Sequence, residues 1–180
     1  MKSSLKKRPL EYARGKGFTL IELLIVIAII AILAIIIVVA INPAKILEKS
    51  RDSQRFSDLT SQATAINLYL ADNHDFAGLV GPYQSTDGVN DNTRKKNDGT
   101  GWIPINFSLV SSGAPLAALP LDPTNTVASG NYYRFGVSVA NKTYEVDAAF
   151  ENSDNTPRHS ADGGNNNNRY EVGTDLTILP

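Results

Sequence analysis

From Leu23 to Ile41 the chain runs through 19 consecutive positions without a polar side chain. At about 1.5 Å of rise per residue, a helix over this run spans roughly 28 Å. The hydrocarbon core of a bilayer is ~30 Å thick, and the flanking Phe18–Ile21 supply the remainder, so the pattern predicts one transmembrane helix. Glu22 stands at its front edge. Placing an acid within a membrane helix costs about 2.5–3.5 kcal/mol at the centre of the span, and this cost points to a cationic partner for the carboxylate.

Asn42-Pro43 closes the apolar run. Proline removes a backbone donor and crowds the carbonyl four residues earlier, whereas Asn followed by Pro also suits a cap and a first helical position. Because Ala44-Lys45-Ile46-Leu47-Glu48-Lys49 is helical sequence, we favour a kink within one long helix over a break. Phe56, Leu59, Ala63, Ile66 and Leu70 then recur at helical spacing, one stripe of an amphipathic helix. Arg51, Asp52, Gln54, Arg55, Asp58, Ser61 and Gln62 fall on the other faces. Ala71-Asp72-Asn73-His74-Asp75 ends this stem.

Period-two alternation takes over near the C-terminal end. Tyr133, Phe135, Val137 and Val139 alternate, as do Tyr144, Val146, Ala148 and Phe150, with Asn141-Lys142 between them: a hairpin with one buried face. A third strand is expected to run from Tyr170 to Ile178, since two strands alone are marginal. Gly78–Gly101 is dense in turn residues and reads as a surface loop with a basic patch at Arg94-Lys95-Lys96. Trp102, Ile103, Phe107, Leu109 and Val110 are the apolar mass expected to cover the stem. The fold class is therefore α+β: a long N-terminal helix, half membrane-spanning and half amphipathic, packed on a small antiparallel sheet. The segments are 1–17, a basic leader; 18–41, the apolar helix; 42–75, the stem; and 76–180, an extracytoplasmic head.

Charge orients this arrangement. Lys2, Lys6, Lys7, Arg8, Arg14 and Lys16 against Glu11 give the leader +5, which holds it in the cytoplasm by the positive-inside rule. The whole chain carries −1, and without the leader −6, so it lacks the basic balance of a nucleic-acid binder. A secretory signal peptide has a shorter apolar core and a small-residue cleavage site, and Ala40-Ile41-Asn42-Pro43 is a poor match to one.

Gly17-Phe18-Thr19-Leu20-Ile21-Glu22, set between a short basic leader and an apolar helix, resembles the class III signal of type IV pilins and pseudopilins. The resemblance is strong over residues 1–73 and loose beyond. It implies a pilin fold, and cleavage after Gly17 by a prepilin peptidase that also methylates the new Phe18 amine. It implies that Glu22 pairs with the Phe18 amine of a neighbouring copy during filament assembly. The partners it implies are further copies of the chain, the prepilin peptidase, an assembly ATPase and a platform membrane protein. The expected location is single-pass in the cytoplasmic membrane, and then a filament on the cell surface. A type II secretion pseudopilin is the nearest alternative, and a signal-anchored binding domain the next. Leu119-Pro120-Leu121-Asp122-Pro123 and Tyr132-Tyr133-Arg134-Phe135 resemble the stretch before the sheet in pilins and major pseudopilins. Cysteine is absent, a departure from the many pilins that close a C-terminal loop with a disulfide.

No catalytic constellation is legible, and no enzyme activity is expected. His74 and His159 lie in polar, turn-like sequence without zinc-site spacing. Asn152–Asn168 is an oxygen-rich insert carrying Asp154 and Asp162. Ca²⁺ takes such ligands, but the spacing is not that of an EF-hand, so no cofactor is expected and Ca²⁺ stays the one alternative.

Overall fold

The computed structural model describes residues 17–180, so the basic residues of the leader lie outside the described residues. The chain divides into two units, one ending at Asn42 and one running from Pro43 to Pro180.

The first unit is helix α1, Leu20–Ile41. Its Ile- and Leu-rich sequence has no polar stripe to fix one buried face. The span Leu20–Val39 is long and apolar enough to cross a membrane, and none of it is buried within the chain. The helix stops at Asn42, whose left-handed backbone (φ 46°, ψ 80°) caps it, and α2 begins at once with Pro43. The junction is thus a break, not the kink within one helix that the sequence favours. Asn tolerates the left-handed region and Pro43 has no N–H to continue the ladder, so the pair resolves as a cap followed by a first helical position.

In the second unit, α2 (Pro43–Ala71) lies on an antiparallel sheet of four strands in the order β1-β2-β3-β4. These are β1 (Tyr83–Gln84), β2 (Tyr133–Ser138), β3 (Thr143–Ala148) and β4 (Tyr170–Gly173). The hairpin β2–β3 pairs Tyr133 with Ala148 and Ser138 with Thr143. Its turn passes through Lys142 at φ 53°. Leu59, Ala63 and Ile66 of α2 meet Phe76, Phe107, Tyr133, Phe135, Tyr144 and Val146 in one core. Trp102, Ile103, Phe107 and Val110 are buried, as expected of apolar cover, but Leu109 is 54% exposed.

The structure departs from the sequence reading in three further places. β1 and the short helix α3 (Asp91–Arg94) lie inside the segment read as a surface loop. Arg94 is no free cation there, since it donates to the carbonyls of Thr86, Asp87 and Gly88 and pairs with Asp91. The third expected strand ends at Gly173, and Thr174–Pro180 leaves the sheet. β3 buries both of its faces, because Glu145 and Asp147 are as inaccessible as Tyr144 and Val146.

Candidate functional site

The residues at the front of α1 form a local structure of their own. Thr19 is the N-cap, with extended backbone at φ −83° and ψ 153°. Its hydroxyl oxygen accepts from the Glu22 amide at 3.3 Å, while its own amide donates to Glu22 Oε2 at 2.8 Å. The Thr19 hydroxyl also donates to the same carboxylate oxygen at 2.8 Å. This reciprocal arrangement is a capping box, the Thr-x-x-Glu signature, and it satisfies two donors that a helix start otherwise leaves unpaired. Sequence reasoning treated Glu22 only as a charge seeking a cation; the Thr19–Glu22 spacing was the signal for this second role. The carboxylate also sits at the positive end of the helix dipole, which favours an anion there.

Gly17 and Phe18 precede the helix in non-helical backbone. Phe18 is 87% exposed, and nothing lies within 4 Å of the position a Gly17 side chain would take. The Gly17–Phe18 bond therefore lies outside helical hydrogen bonding. Gly17, Phe18 and Glu22 thus share one short exposed segment at the head of the apolar helix.

A second cluster lies in the other unit, where the sequence reading expected the polar faces of the stem. Asp52, Arg55, Asp58 and Gln62 are buried, so the inward face of α2 is apolar only in its second half. Arg55 is fully buried; its Nε donates to Asp122 Oδ2 at 2.6 Å and its Nη1 to Asp52 Oδ1 at 2.9 Å. It also pairs with Glu151 at 2.5 Å. Asp52 accepts in turn from the backbone amides of Glu151 and Asn152, both at 2.9 Å. Burial pulls the Arg55 guanidinium down, but its carboxylate partners win and hold it charged. Asp58 accepts from the Tyr133 hydroxyl at 2.8 Å, and burial raises its carboxyl above the usual range. Each charge is met by an opposite charge or a donor, so this is an anchoring network and not a catalytic pair.

The two histidines separate. His74 is half-buried and stacks on Tyr69 with ring centroids 4.5 Å apart. His159 is buried against Phe150, contrary to the polar setting expected for it, and its Nε2 accepts from the Phe150 amide at 3.1 Å. Burial pushes its pKa below the usual value. In the oxygen-rich insert, Asp154 pairs with Lys49, and Asp162 accepts from the amides of Gly164 and Glu171. Among the described residues, no three His, Cys, Asp or Glu gather as metal ligands do.

No curated protein and no solved structure matches the chain. Residues 13–38 match the family model described as the prokaryotic N-terminal methylation motif. The match covers the Gly17–Glu22 segment and most of α1, and by it this chain carries the class III signal that type IV pilins and pseudopilins share.

Proposed function

We propose that this chain is a structural subunit of a type IV pilus-like filament. A prepilin peptidase cuts after Gly17 and methylates Phe18, and Glu22 of one copy then pairs with the Phe18 amine of the next. The observation that carries the reading is an acid at the head of a helix with no buried surface of its own, within the methylation motif. Such a helix needs lipid before assembly and other copies of itself afterwards. Cutting after Gly17 creates an α-amine of pKa about 7.7–8.0, a cation that exists only in the processed chain. In a low-dielectric core, a subunit in the wrong register leaves a charge uncompensated, at roughly 3–5 kcal/mol. Pairing therefore selects register.

The intact mass of native protein tests the processing step: a chain starting at Phe18 and carrying one methyl group is expected, and one that keeps its leader overturns it. The same motif serves pseudopilins of type II secretion, and the stretch Leu119-Pro120-Leu121-Asp122-Pro123 fits that second reading equally. Surface fibres that disappear when this chain is deleted select the pilus; their absence, with lost secretion, selects the pseudopilus.

A further inference from the structure

The outer face of the sheet carries two carboxyl groups that face each other without a cation. Glu145 of β3 is fully buried and Glu171 of β4 nearly so. The register pairs Glu145 with Gly173 and Asp147 with Glu171, which sets the two glutamates diagonally on one face. Oε2 of Glu145 accepts the amides of Ile178 and Leu179, each at 2.9 Å. Oε2 of Glu171 accepts the amide of Asn166 at 2.9 Å. The remaining oxygen of each, Oε1, is buried and meets no donor. Gly164 closes over the site, since a side-chain carbon there would lie 2.0 Å from Glu171 Oε2.

The surrounding charges do not neutralise the pair. Arg134 of β2 and Arg169, just before β4, both turn to Asp147. Asp162 faces the backbone of Glu171, and Asp175 lies in the segment after β4. With neither Oε1 supplied by a donor, two carboxyl groups side by side on one buried face need a proton between them.

We propose that Glu145 and Glu171 share one proton and together form a latch that holds the segment Asp175–Pro180 on the sheet and releases it in alkali. The latch holds this segment through the amides of Ile178 and Leu179. Leu179 is buried over Gly136, whose lack of a side chain leaves the room; the Asp175 amide also donates to the Tyr144 carbonyl, the Leu176 carbonyl accepts from the Asn165 amide, and Pro180 is held by Arg134 and Asn166. Burial, followed by the Glu171 contact, raises the Glu145 group to about 8. A raised folded-state pKa makes the contribution greatest below about 4.5, its unfolded value, with progressive loss as pH rises through about 8. Above that the shared proton is lost, and like charge repels at the point where the segment is tied.

The test is amide exchange of Ile178 and Leu179 in the full chain in detergent micelles, read as protection factors so that the base dependence of exchange cancels. Between about pH 6.5 and about pH 9.5 we expect protection to fall about tenfold, with one glutamate carboxyl carbon titrating near 8. In Glu171→Gln, the new amide can donate to Glu145 Oε1 and no second charge develops, so protection is expected to stay level over the same range. Unchanged native protection, or both carboxyl carbons titrating in the ordinary acid range, overturns the proposal. So does a Glu171→Gln chain that loses protection as the native one does. If that variant fails to fold, the carboxyl titration of the native chain decides.

Discussion

Substituting Glu22 two ways separates the two parts the residue plays. Glutamine can keep the capping box, because its side-chain carbonyl accepts from the Thr19 amide as the carboxylate does, but it carries no charge. Alanine removes both. Losing a cap costs about 1 kcal/mol, against roughly 3–5 kcal/mol for stranding one member of a buried ion pair. If charge pairing drives assembly, Glu22→Gln and Glu22→Ala chains are both processed normally and both yield few fibres. Full fibre yield from Glu22→Gln with loss in Glu22→Ala assigns the defect to the cap instead. Arg55 presents the same contrast in the head. Truncating it to alanine strands Asp52 and Asp122 in the interior, and we expect about 3–5 kcal/mol of lost stability. Denaturant unfolding measures it; a loss within about 0.5 kcal/mol, typical of surface substitutions, would show that water replaces the guanidinium there.

At the level of elements, α2 shows where the sequence was legible and where it was not. Leu59, Ala63 and Ile66 announced the packed face by spacing alone, and they lie in the core. Asp52, Arg55 and Asp58 extend that same inward face, but polar side chains carry no burial signal until their partners are known. Those partners, Asp122, Tyr133 and Glu151, lie 67 to 99 positions away. The β2–β3 hairpin was readable because alternation is local; β1 was not, because two residues in a run of turn chemistry are paired only by β2. The Thr19–Glu22 box is legible from its Thr-x-x-Glu spacing, a local signal beside the more conspicuous charge of Glu22. His159 gives this scale its own test. It holds the Phe150 amide beside the point where Asp52 holds Glu151 and Asn152, so the segment leaving β3 is fixed by two acceptors, one of them on α2. A lowered folded-state pKa means its contribution is present above the ordinary value of about 6.5 and is lost as pH falls through the folded value. The melting temperature should therefore fall between about pH 7.5 and about pH 5.5, and His159→Gln should flatten that part of the profile. An equal fall in the variant would place the acid sensitivity elsewhere.

Taken whole, the chain joins two units that obey different solvents. The unit from Pro43 to Pro180 carries its own core, to which α2 contributes Leu59, Ala63, Ala65 and Ile66 beneath the sheet. None of Leu20–Val39 is buried. A chain beginning at Pro43 should therefore be soluble without detergent and unfold cooperatively, with a melting temperature within about 4 °C of the full chain's, a shift of under roughly 1 kcal/mol at this size. Non-cooperative unfolding of the shortened chain would show that the apolar helix supports the head after all. If the prediction holds, the stability of the head and the capacity to assemble reside in separate halves of the molecule. Assembly then gains little from hydrophobic transfer, because a helix leaving lipid for a neighbouring helix exchanges one apolar environment for another. Close packing supplies attraction without register, since the side chains from Leu23 to Ile41 are nearly uniform along the helix. In the proposed filament, the acid at the fifth position of a processed chain and the amine at the first position of its neighbour would supply what uniform packing lacks: a single offset between neighbours at which no charge is left alone.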